Sequence, residues 1–220
     1  MGREGAPGVD RFQDTNNDFL LSRVRLYSNW KVNDLFRVYV EGIHAEATDD
    51  GGDYFPRVIE QNRGDFLNLF LDLQLTDSLV ARVGRQELLY GNQRLVSPLD
   101  WANTRRTFDG VRLLYTSGNW KTDIFYTAFV PVKLDELDEA DSDLPFYGFY
   151  STYSGFENFS VEGYYLGFDN KNVGAGPTSD FSLHTTGLRF YGGMGNWLWE
   201  FEGGPQFGRQ SGLQLDHAAG

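Results

Sequence analysis

Apolar and polar residues alternate with a period of two in one segment after another, and no window of eleven or more residues carries a helical stripe as well. The alternation predicts ten strands, over residues 19–30, 35–46, 65–76, 79–90, 108–117, 120–130, 146–153, 159–168, 183–191 and 197–206. In the first, Leu20, Val24, Leu26 and Trp30 share one face and Arg23, Arg25 and Tyr27 the other. The second sets Phe36, Val38 and Val40 against Arg37, Tyr39 and Glu41. The third opposes a ladder of Leu67, Leu69, Leu71, Leu73 and Leu75 to Asn68, Asp72 and Gln74. Such a ladder needs an apolar partner. Most of these segments run to the ~9–11 residues that cross a bilayer at a tilt, beyond the ~5–6 common in soluble sheets.

The connections alternate between short and long. The short ones, 31–34, 77–78, 118–119, 154–158 and 192–196, are rich in the Asn, Asp, Gly and Ser that tolerate turn dihedrals. The long ones, 47–64, 91–107, 131–145 and 169–180, exceed a favoured hairpin loop. Short turns on one side and long loops on the other are the asymmetry of outer-membrane barrels. The expected fold is therefore all-β, an antiparallel up-and-down transmembrane β-barrel with about ten strands present. Placing the turns in the periplasm puts both ends of the strand array outside the cell, which implies at least one further strand at each end. Residues 1–220 are expected to form a single, incomplete barrel domain: a leading segment 1–18, strands over 19–206, and a loop cut short over 207–220. A self-closed barrel of ten strands is the alternative.

Composition narrows the class. A formal charge of -12 leaves no basic face for nucleic acid. Cysteine is absent, which excludes disulfides and thiolate metal sites. Mean hydropathy is -0.43 and no run is long and apolar enough for a membrane helix, but a barrel wall is only half apolar and keeps a low average. Met1-Gly2-Arg3-Glu4 opens without the apolar core of a signal peptide, so an exported chain would be mature or truncated here. Trp30, Trp120, Trp197 and Trp199 fall near strand ends or turns, where an aromatic belt would lie.

Alternation gathers Arg23, Arg25, Arg37, Arg82, Arg112 and Arg189 on the polar face with Glu41, Asp72, Glu162, Glu200 and Glu202. A guanidinium is a fixed, permanently charged fork for carboxylates, so this face reads either as a selectivity field for a carboxylated solute or as a charge ladder bracing a wet lumen. Loop 91–107 carries Arg94, Arg105 and Arg106 beside Asp100 and Trp101. It folds inward as a constriction or remains a surface loop. Loop 131–145 clusters Asp135, Glu136, Asp138, Glu139, Asp141 and Asp143 without the spacing of a calcium-binding EF-hand loop, and reads as solvated or facing lipopolysaccharide. Glu200 and Glu202 lie at a carboxylate spacing known from glycosidases, but no cleft accompanies them. His44, His184 and His217 have no metal-ligand spacing, and no nucleophile or phosphate-loop motif occurs. Neither a cofactor nor catalysis is expected.

Gly84-Arg85-Gln86-Glu87-Leu88-Leu89-Tyr90-Gly91-Asn92-Gln93-Arg94-Leu95, followed by Trp101-Ala102-Asn103-Thr104-Arg105-Arg106-Thr107-Phe108-Asp109-Gly110-Val111-Arg112, resembles the bacterial alginate export family. Leu21-Ser22-Arg23-Val24-Arg25-Leu26, Thr186-Gly187-Leu188-Arg189, Glu202 and Gln206-Phe207-Gly208 extend the resemblance over nearly the whole chain. It implies a monomeric outer-membrane barrel of a Gram-negative bacterium, longer than this chain, exporting a polyanionic polysaccharide through an Arg-rich constriction. It places Arg85, Arg94, Arg105, Arg106, Arg112 and Arg189 around or near the conduit. The expected function is export or diffusion of an alginate-like polymer, with a general porin for small anionic solutes as one alternative. A soluble β-sandwich that binds or cleaves carbohydrate is the other. Membrane lipid, lipopolysaccharide and the anionic solute are the expected partners, and poor solubility without detergent follows from open strand edges.

Overall fold

The computed structural model describes residues 19–49, 57–172, 180–210 and 213–219. The expected leading segment 1–18 lies outside the described residues, as do parts of the first and last long loops. Among the described residues eleven strands form in chain order: β1 (Phe19–Lys31), β2 (Phe36–Asp49), β3 (Asn62–Thr76), β4 (Leu79–Gln86), β5 (Thr107–Ser117), β6 (Trp120–Val130), β7 (Pro145–Tyr153), β8 (Phe159–Asn170), β9 (Phe181–Met194), β10 (Trp197–Gln210) and β11 (Leu213–Ala219). They make one sheet in which each strand pairs antiparallel with the next in sequence. This is the expected up-and-down order. The turns close as their residues dictate: Asn33 Oδ1 accepts the N–H groups of Leu35 and Phe36 between β1 and β2, and Gly118 takes the left-handed φ of +55° between β5 and β6.

The two faces differ as alternation predicts. Leu26, Trp30, Ile124, Tyr126, Trp197 and Phe201 are exposed, whereas Glu41, Phe70, Phe125, Thr127, Tyr150 and Arg189 on the opposite face are buried. Among the described residues there is no second sheet to cover the apolar side. A sandwich would bury that side against a second sheet, so the β-sandwich alternative does not fit this single sheet. Tryptophans mark the turn end: Trp30, Trp120 and Trp197 are all exposed there.

The sheet is curled. Laid flat, β1 and β10 would stand nine strand spacings, roughly 43 Å, apart. Yet the segment between β4 and β5 hydrogen-bonds to both, through Asn103 to the Ser22 carbonyl and through Asn92 to Glu200. That segment is itself turned, at Tyr90–Gln93 and again at Leu99–Ala102. Only a sheet wrapped around it allows both contacts. The sheet remains open, because β1 and β11 stand at opposite ends of the strand order; self-closure does not occur.

Four local features depart from expectation. β10 runs on to Gln210 and β11 follows, where a loop was expected over 207–220; Gly204 to Gln210 of β10 pair with β11, whose short alternation is enough once that edge offers unpaired backbone groups. Only two residues join β10 to β11, so the short–long alternation stops there. β4 ends at Gln86 rather than at residue 90, because Leu88 and Tyr90 leave the sheet to be buried inside. Finally, the register shift opposite Glu41 and Gly42 turns Leu67 inward beside Ile43 and Ala45, so it drops out of the outward leucine ladder.

Candidate functional site

Pairing across strands places the charged residues of the buried face in rows. Arg37, Asp72, Arg82 and Arg112 stand directly opposite one another on β2, β3, β4 and β5. Asp72 holds two guanidiniums: Arg37 Nη2 at 2.7 Å and Arg82 Nε at 2.7 Å. Both cations also face the Phe70 ring, Arg82 at 3.8 Å and Arg37 at 5.4 Å from its centroid. Arg112 turns instead to Asp123 on β6, with Nε at 2.9 Å, and lies over Tyr90. Nearer the loop end, Arg25 Nε meets Glu41 at 2.7 Å, and Asn68 donates to the same carboxylate. A buried carboxylate with two donors is a compensated charge, as burial requires.

A second row runs through Glu162, Arg189 and Glu202 on β8, β9 and β10. Arg189 donates to Glu162 at 2.7 Å and to Glu200 at 3.3 Å, and Tyr150 donates to Glu162. Glu202 accepts from Tyr164 and from Arg94 of the inserted loop; Arg94 also meets Glu200 at 3.1 Å. Glu200 and Glu202 are thus clasped by arginines rather than presented as a free acid pair.

Residues 87–106 fold onto this face, settling in favour of insertion what the sequence left open. Leu88 and Val96 are buried there, and Tyr90 stacks between Phe125 and Tyr150 at centroid distances of 5.6 and 4.8 Å. Together with Phe108, Tyr164 and Leu166 they form the main apolar core. Gly91 makes the approach possible: its φ is +55°, and a Cβ on it would lie 2.6 Å from the Tyr150 hydroxyl. At the far side Asn103 shares its amide N–H groups among the carbonyls of Ser22, Glu46 and Glu60. Arg23 donates to the Ala102 carbonyl at 2.8 Å, and Arg105 is held by Glu87 and Asp100. Arg106 has no carboxylate neighbour among the described residues, and burial depresses its pKa.

Arg85 is placed differently. It shares a register row with Leu69, Asp109 and Ala128, on the face opposite Gly84 and Gln86, and bonds to Asp109, Asp65 and the Asp138 carbonyl. The acidic loop 131–144 docks there, and Asp138 is buried against Asn62 and Asp65 rather than solvated. Among the described residues no group of three or more His, Asp or Glu is arranged to hold a metal ion. Alternation could mark Tyr150 and Tyr164 as neighbours of Glu162 on one face. Nothing in the sequence announces Asn103 as the loop's anchor.

A curled antiparallel meander with its apolar face outward, and a charged face that holds an inserted loop, is the wall of a membrane β-barrel channel. The chain belongs to the alginate export family: the model described as Alginate export matches residues 4–219. It is a family of outer-membrane transport porins. No curated protein matches the chain.

Proposed function

We propose that the chain forms the wall of a channel in the outer membrane of a Gram-negative bacterium, and that the channel passes an alginate-like anionic polysaccharide along its arginines. The observation that supports this reading is that ion-pair partners are shared: Asp72 serves both Arg37 and Arg82, and Arg189 divides itself between Glu162 and Glu200. A solute carboxylate that takes the place of one protein carboxylate keeps the guanidinium compensated, so it can bind at each step and still leave. Arg23, Arg25, Arg94, Arg105 and Arg112 extend the same field, and Glu41, Glu162, Glu200 and Glu202 temper it. In this reading the carboxylates set charge and perform no catalysis. The exposed apolar band meets lipid and lipopolysaccharide, and the open edges of β1 and β11 require backbone partners within hydrocarbon.

The inserted loop favours a second reading, a porin for small carboxylated solutes, because it occupies space a polymer would need. Single-channel recording in a planar bilayer separates the two. Anion-selective current that oligo-alginate blocks, with block weakened about tenfold by Arg112→Ala or Arg189→Ala, is the expected result. Current that the oligosaccharide leaves untouched supports the small-solute porin. Folded protein that carries no current defeats both.

A further inference from the structure

Arg106 differs from its neighbours. The wall arginines of the buried face, and Arg94 and Arg105 of the inserted loop, each have a carboxylate oxygen within 4 Å. Arg106 has none among the described residues; its guanidinium lies 6.0 Å from the Phe129 ring centroid. It also borders a cavity of about 280 Å³ between the inserted loop and the wall. The floor is Phe108, Phe129, Phe146, Leu166, Phe168 and Leu183. Register confirms that these share one face, since Phe108 stands opposite Phe129, and Phe168 lies between Phe146 and Leu183. Polar groups are few: Ser97, Thr185 and Gln206, of which Gln206 already donates to Thr185 at 2.9 Å and Ser97 is tied to Gln93 and Leu99.

We propose that this cavity binds a small amphipathic carboxylate, with its anionic end on Arg106 and its aromatic or aliphatic body on the phenylalanine floor. A half-buried guanidinium without an anion is an uncompensated charge, and an arriving carboxylate makes charge-assisted hydrogen bonds to it. The depressed pKa of Arg106 is consistent with that cost. The floor decides the rest of the ligand. A sugar acid would bury hydroxyls against phenylalanine and leucine with little to bond to, whereas an aryl or alkyl body gains from the same surface. The volume lies just below the roughly 300 Å³ at which ligand cavities usually begin, which suits only a small ligand. The site differs in substrate class from the polyuronate path and does not depend on conduction.

The test is equilibrium dialysis of labelled benzoate against the whole chain in detergent micelles, with empty micelles as the blank. Saturable benzoate binding is expected. Benzyl alcohol, which has the same body without the charge, should compete at least about tenfold more weakly. Glucuronate, which has the charge without the apolar body, should not displace benzoate. Arg106→Gln should lose benzoate by a similar factor, while Arg106→Lys keeps part of the binding. Equal competition by benzyl alcohol would reduce the cavity to a greasy recess, and equal competition by glucuronate would reduce Arg106 to one more cation of the conduit. Either result overturns the proposal. If Arg106→Gln fails to fold, the three probes on unaltered protein still decide. Absence of saturable benzoate binding to the unaltered protein, with channel current intact, would reject this site and leave the conduit reading standing.

Discussion

Two long loops leave the same end of the sheet and reach opposite destinations. Residues 87–106 turn into the curl, with Leu88, Tyr90, Val96 and Ala102 buried. Residues 131–144 stay against the start of β3 and the end of β4, with Leu134 and Leu137 exposed and Asp138 alone among their carboxylates buried. The first is cationic and meets wall carboxylates Glu200 and Glu202. The second is acidic and is met at the rim by Arg63 and Arg85. Length does not separate the loops. Apolar anchors spaced to reach the wall's aromatic layer, with a charge opposite to that of the wall groups they pass, send a loop inward.

Removing the first loop's anchor should therefore have the largest effect. Leu88 is fully buried. Leu88→Asp forfeits the packing of a core leucine, about 2–5 kcal/mol, and places a carboxylate in the same apolar site. The expected outcome is a severalfold rise in single-channel conductance and new protease cuts within 87–106, with strand circular dichroism retained. Unchanged conductance and cleavage would mean that apolar anchoring does not hold the loop. A smaller effect is expected from Asn103→Ala, which removes the donor serving three carbonyls and costs on the order of 1–3 kcal/mol. Hydrogen exchange should quicken about 10- to 100-fold over residues 99–106 while the Tyr90 side stays protected. Exchange that quickens equally along the whole loop would show that its two ends are not held independently.

What the sequence made legible follows from period two. Alternation alone put Arg37, Asp72, Arg82 and Arg112 on one face, because in a strand the face is set by parity. It failed at Leu67, where a bulge breaks parity and turns the side chain inward, and at Leu88 and Tyr90, which keep the alternation of β4 after the chain has left the sheet. The motif around residues 84–112 drew attention to Arg94, Arg105 and Arg106 without revealing that Arg106 lacks the carboxylate the other two possess. β11 was missed because its few residues alternate too briefly to stand out from a loop; the edge of β10 defines them. Partner identities depend on curvature and loop path, and neither is written in local pattern.

The smallest expected effect bears on the second loop alone. Asp138 accepts hydrogen bonds from the Lys133 amide and from Asn62, and its own amide donates to Asp65. Burial, followed by the neighbouring Asp65 carboxyl, pushes its pKa up to about 7. An acid whose folded value stands above the unfolded one, near 4, helps the folded loop when protonated. That contribution is complete below the unfolded value and is lost as pH rises through about 7. Protection of residues 131–144 in hydrogen exchange, corrected for the intrinsic rate, should therefore weaken between pH 5 and 8 by on the order of 1 kcal/mol, a figure discounted for solvent screening. Asp138→Asn keeps an oxygen for the Lys133 amide and should flatten the response. Residues 87–106 are held by leucine, tyrosine and arginine contacts and should not follow. If both loops loosen in parallel as pH rises, or if the asparagine variant keeps the slope, titration acts on the whole sheet and the two loops are not held by different chemistry.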